Sequence, residues 1–128
     1  MKHLRLLALL LASVAGAAFA DHSHNHSHGH GEAMHGGVVA AAKDVDFELV
    51  ASSDSIQLHL RNHGTPIDVS KASARLTILA GSDKQEVELK PAGGLLEAKG
   101  QFRTAGAKAV ALVTLPGKPT VTVRFVLK

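Results

Sequence analysis

From Val38 to the C-terminus the chain alternates, with apolar residues at every second position. Val45, Phe47, Leu49 and Ala51 are interleaved with Asp46 and Glu48. Ile56, Leu58 and Leu60 are interleaved with Gln57, His59 and Arg61, and Ala72, Ala74, Leu76 and Ile78 with Ser73, Arg75 and Thr77. Val87 and Leu89 sit among Glu86, Glu88 and Lys90. Leu96, Ala98 and Phe102 share one parity, and Val121, Val123, Phe125 and Leu127 another. Successive side chains of a strand point to opposite faces, so a period of two predicts strands buried on one side only. The stretch 107–115, "AKAVALVTL", is apolar on both parities and predicts a central strand covered on both faces.

Between these runs stand "SSDS", "NHGTP", "GSDK", "PAGG" and "PGKP", segments rich in the residues that turns require. No sustained helical stripe interrupts them. With a short strand at 38–42 the count is seven or eight, spaced about ten residues apart. That pattern predicts an all-β, antiparallel two-sheet sandwich of the immunoglobulin-like kind, with a small closed barrel as the rival. The cysteine and tryptophan typical of immunoglobulin domains are missing.

The first 37 residues do not fit this pattern. Residues 1–20, "MKHLRLLALLLASVAGAAFA", have a short basic start, an apolar stretch and a small-x-small ending. This predicts a secretory signal peptide cleaved after Ala20, and a stretch too short for a membrane anchor. The expected location is the periplasm, with no membrane contact after cleavage. Residues 21–37, "DHSHNHSHGHGEAMHGG", carry almost nothing apolar, which predicts a disordered tail hinged at Gly36 and Gly37. Three parts follow: a signal at 1–20, a tail at 21–37 and a sandwich domain at 38–128.

Charge and composition then exclude classes of function. Without Lys2 and Arg5, twelve of the fourteen basic residues remain against eleven acidic ones, a net charge of +1. The basic balance of the whole chain is therefore no argument for nucleic acid. With no Trp or Tyr there is no stacking platform for bases. No nucleophile elbow, metallohydrolase helix motif or phosphate-binding glycine loop occurs, so the chain is not expected to be an enzyme.

What remains is histidine. His22, His24, His26, His28 and His30 stand at every second position, separated by Ser, Asn and Gly. Imidazole is a common metal ligand and largely neutral near pH 7. Several imidazoles on one flexible segment act at high effective concentration, so one ion can gather two to four of them. The absence of cysteine excludes a thiolate site, and a single Met34 after the signal excludes a methionine-rich one. The donors suit Cu(II), Zn(II) or Ni(II). His35 either joins the tail site, seeds a second one with Met34 or is a plain linker residue. His59, on the polar parity, is expected to be a surface residue without a role. His63 in "NHGTP" is a turn residue that supplies a fixed ligand only if the tail folds back. The competing function is a non-enzymatic interaction module whose histidine tail responds to pH.

Several short motifs add a resemblance: "MHGGVV", "FELV" at 47–50, "HGTPID" at 63–68 and "VELKPAGG" at 87–94. With them the chain resembles small exported proteins associated with heavy-metal resistance. It is also similar to the all-β domain of periplasmic adaptors of heavy-metal efflux pumps. The resemblance implies a free-standing metal-handling module, with His35 and His63 as ligands on the domain. It also implies partners among the periplasmic components of an efflux system. The helical hairpin and lipoyl-like domain of the full adaptors have no counterpart in this sequence.

Overall fold

The computed structural model describes residues 31–128, so the proposed signal peptide and His22 to His30 lie outside the described residues. Nine strands are formed in this region: β1 (Val38–Ala42), β2 (Val45–Ala51), β3 (Ser55–Asn62), β4 (Thr65–Pro66), β5 (Ser73–Ala80), β6 (Asp83–Ala92), β7 (Leu95–Lys99), β8 (Lys108–Thr114) and β9 (Val121–Val126). All pairings are antiparallel, in the order β1-β2-β3-β7-β6-β5-β8-β9, with β4 added to β3.

Strand β6 makes this one path into two layers. Its first part, Asp83 to Leu89, pairs with β5, while Lys90, Pro91 and Ala92 pair with β7. The strand thus passes from one layer to the other. The path's two ends, β1 and β9, come to lie beside one another without pairing. The result is a nearly closed antiparallel sandwich, all-β as the alternation predicts. The two-residue β4 brings the strand count to nine.

The core follows the predicted parity. Phe47 and Leu49 of β2, Ile56, Leu58 and Leu60 of β3, Leu76 and Ile78 of β5, Leu89 of β6, Leu96 of β7 and Phe125 of β9 are all buried in one cluster. Phe102, beyond β7, closes it at one side. Ala109, Ala111 and Val113 are the inward residues of β8. The expectation for 107–115 needs correction. β8 is central in its ladder, between β5 and β9, but its outer face is open and Leu112 is 44% exposed. Apolar residues on both parities require cover on both sides, and nothing among the described residues covers this one.

The second correction concerns β2, where Val45 to Leu49 are buried at every position. Asp46 and Glu48, on the polar parity, are therefore inside. What covers them is the segment expected to be disordered.

Candidate metal-binding site

Across the β2–β3 pair Asp46 faces Arg61, and Glu48 faces His59. All four lie on the outer face, since their neighbours Phe47, Leu49, Leu58 and Leu60 fill the core. Residues 31–37 cross this face as a strap. The Gly31 N–H donates to Asp46 Oδ2 at 2.8 Å. The Met34, His35 and Gly37 N–H groups all donate to the Glu48 carboxylate, at 3.0, 2.8 and 3.0 Å. The His35 ring adds a fourth contact, Nδ1 to Glu48 Oε1 at 3.0 Å. Arg61 Nη2 donates to the Glu32 carbonyl at 3.1 Å and lies 3.6 Å from Glu48 Oε1.

The two glycines of "MHGG" make this local geometry possible. Gly36 has φ +75°, a left-handed conformation that suits glycine. A Cβ on Gly37 would stand 2.5 Å from the Leu49 carbonyl oxygen, so only glycine lets the chain come this close to β2. The pair is a clamp onto Glu48 rather than the expected hinge. Residues 31–37 accordingly pack against the sheet, upstream of the boundary expected at Val38.

The electrostatics of the site follow from these bonds. Burial alone would raise the pKa of Glu48. The hydrogen bonds from the His35 ring and from the Gly37, Met34 and His35 backbones override it and hold the pKa at about 2. Glu48 is therefore a carboxylate, able only to accept, and the His35 Nδ1 must carry the hydrogen. A neutral His35 then has its lone pair on Nε2. The side chain of His35 is 45% exposed, whereas that of Glu48 is fully buried.

His59 lies beneath His35. The two rings stack with centroids 3.7 Å apart and planes 9° from parallel. Burial, with a smaller contribution from His35, lowers the His59 pKa below 6.5 and favours the neutral ring. Its Nε2 is inaccessible and has no hydrogen-bond partner, as do Nε and Nη1 of Arg61. His59, expected to be a surface residue without a role, is a half-buried ring in a stack.

The remaining candidates are distributed as follows. Met34 is 63% exposed and takes part through its backbone. His63 occupies the β3–β4 turn with φ 48°, followed by Gly64 at φ 81°, so its backbone forms a tight two-residue hairpin turn. The structure does not gather Met34, His35 and His63 into one cage. Among the described residues no group of three or more His, Cys, Asp or Glu side chains forms a metal cage. His22, His24, His26, His28 and His30 lie outside the described residues, but His30 is bonded directly to Gly31, which Asp46 fixes. Sequence reasoning missed Asp46, Glu48 and Arg61. The available signal was two acidic residues facing a His and an Arg across one strand pair, preceded by a glycine pair able to approach them.

No family model and no curated protein matches the chain. A solved structure, the bromine derivative of the carbohydrate-binding module BhCBM56, is similar at 10% identity and TM-score 0.43, covering 70% of this chain and 99% of that one.

Proposed function

We propose that this protein is a periplasmic divalent transition-metal-binding protein, a buffer or chaperone linked to metal resistance or efflux. The observation that carries the reading is the Glu48–His35 bond at 3.0 Å. A carboxylate that holds one ring nitrogen of a histidine fixes the tautomer and frees the other nitrogen for a metal, a recurrent arrangement in metal sites. Here the carboxylate is buried and tied down by three backbone N–H groups, so the ring is held from the sheet rather than from a loose tail. His30 is separated from His35 by only four residues, so the run is tethered to the fixed imidazole by a short stretch of chain. All donors are nitrogens, which suits Cu(II), Zn(II) and Ni(II).

The division of labour is capture by the run and retention at its root. Binding rather than catalysis is the activity, and the natural recipients are periplasmic components of an efflux system. The test is equilibrium dialysis of the full chain against Zn(II), Ni(II) and Cu(II) at neutral pH. Wild type retains at least one ion per chain. Replacement of His22, His24, His26, His28 and His30 together by Ala weakens retention by an order of magnitude or more. A wild-type chain that retains no metal would overturn the reading in favour of a pH-responsive interaction module.

A further inference from the structure

Strand β8 shows a mismatch between its sequence and its surroundings. Ala109, Ala111 and Val113 point into the core, yet the alternate residues Val110 and Leu112 are apolar as well. A strand that is apolar on both parities is the kind found covered on both faces. In the layer formed by β6, β5, β8 and β9, one register line runs Glu86, Thr77, Val110, Arg124 across the outer face. Leu79 and Leu112 continue the apolar middle of that line on the same two central strands. The charges at its ends are sorted. Glu86 and Glu88 stand on β6 at one edge of the layer, and Arg124 stands on β9 at the other. Within one chain three strand spacings, about 14 Å, separate Glu86 from Arg124, too far for them to pair. Lys84 lies 3.7 Å from Glu86, but both side chains are largely exposed and the carboxylate stays open to a second cation.

We propose that this face is a self-association surface, on which a second copy of the chain docks face to face about a twofold axis. The axis runs along the strands between β5 and β8, in the plane between the two sheets. It lays β6 of one copy over β9 of the other and β5 over β8, with the rows kept in step. Glu86 of each copy then faces Arg124 of the other, and Thr77 faces Val110. The aliphatic stems of Arg75 and Lys108 lie over Leu112 and Leu79, with their charged heads free to reach water. An isologous interface has to be self-complementary, and an acidic edge opposite a basic one meets that condition. A twofold axis across the strands fails it, since Arg124 would meet Arg124 and Glu86 would meet Glu86. Four strands about 4.8 Å apart, each of about seven residues at 3.4 Å, make a face on the order of 500 Å². That is the small end of specific interfaces, so the pair is weak, with a Kd on the order of 0.1–1 mM. The proposal is independent of metal binding. The strap lies on the outer face of the opposite layer and stays free in the pair.

The test is analytical ultracentrifugation of the exported chain in a metal chelator, which removes any bridging of two chains through histidine. Wild type is expected to sediment as a monomer at about 10 µM and to shift toward dimer as it approaches about 1 mM. Leu112→Lys sets a charge into the centre of the face and is expected to abolish the shift. Glu86→Arg and Arg124→Glu, each placing like charges opposite one another, should each weaken association about tenfold. The double variant with both changes restores the pairing with its signs exchanged, and its Kd should return to within about threefold of wild type. Because the two residues do not touch within one chain, that rescue can arise only across the interface. All three positions are exposed, so the variants keep the fold. A wild-type chain that stays monomeric at about 1 mM would overturn the proposal. So would a dimer that persists in Leu112→Lys, or a double charge exchange that associates no better than the single changes.

Discussion

Two outer faces of this sandwich behave in opposite ways. On the β2–β3 face the sequence offers charges, Asp46, Glu48 and Arg61, and the fold buries them. On the β5–β8–β9 face it offers Leu79, Leu112 and Val126, and the fold leaves them 40%, 44% and 67% exposed. Both faces alternate with well-packed inward residues, so neither strand parity nor hydropathy explains the difference. A seven-residue segment explains it. Residues 31–37 bring N–H donors and a ring to the first face, and no segment among the described residues reaches the second. Burial of a charge is tolerated when its hydrogen bonds are complete. Glu48 has four such contacts from the strap.

Removing the anchor breaks the comparison most severely. Glu48→Ala strips three backbone N–H groups and the His35 ring of their acceptor and leaves Arg61 without its carboxylate neighbour. Loss of one member of a buried charged network costs about 3–5 kcal/mol. Chemical denaturation should show a loss comparable to Phe125→Ala, where truncation of a buried ring costs about 3–5 kcal/mol. A change below 1 kcal/mol in Glu48→Ala would show that the strap contributes nothing to stability.

Acidification tests the same face without mutation. The Glu48 pKa is held at about 2 when folded, against 4.5 in the unfolded chain. Its contribution is complete above pH 4.5 and is lost as pH falls from there toward 2, on the order of 3 kcal/mol in all. His59 acts earlier. Its folded pKa lies below 6.5, so the unfolded chain takes up the proton first, and stability declines as pH falls below 6.5. The metal-free protein should therefore show a plateau above pH 6.5, a shallow decline below it and a steeper one below 4.5. His59→Phe is expected to abolish the first decline and Glu48→Gln to reduce the second, read from denaturation midpoints across pH.

A smaller effect is expected at the clamp. Gly37→Ala places a Cβ against the Leu49 backbone, which can give way only by moving the strap. A loss of about 1–3 kcal/mol is expected, with fluorescence of a reporter placed on the strap moving with it. The smallest effect belongs to the open face. Leu112→Ser should stay within about 0.5 kcal/mol, and a larger loss in the thermal melt would show that this face is covered after all.

The contrast between the faces also marks how far the sequence could be read. The inward parity of Phe47, Leu58, Leu76 and Phe125 is a local property, visible as a period of two, and the core was legible from it. The burial of Glu48 is not local. Its acceptor oxygens are satisfied from residues 11 to 14 positions upstream, and a polar residue on the outer parity looks solvent-facing until that segment is placed. The same limit explains 107–115, where two apolar parities suggested cover that no other element supplies. His35 was legible as a candidate, because "MHGG" stands out. His59 was not, because one histidine between two leucines has the pattern of any half-exposed strand. The alternating run remains a feature of the sequence alone, and its link to the fold is the peptide bond between His30 and Gly31.

The account depends on the strap being part of the folded body before any metal arrives. Amide hydrogen exchange of the metal-free full chain at neutral pH measures this directly. The Met34, His35 and Gly37 N–H groups, which donate to a buried carboxylate, are expected to exchange at least about 100-fold more slowly than an unstructured chain, and Glu48→Ala should release all three together. Exchange of these amides at unstructured rates in the wild-type protein would contradict the account. It would mean that residues 31–37 are a free tail and that His35 is fixed to nothing.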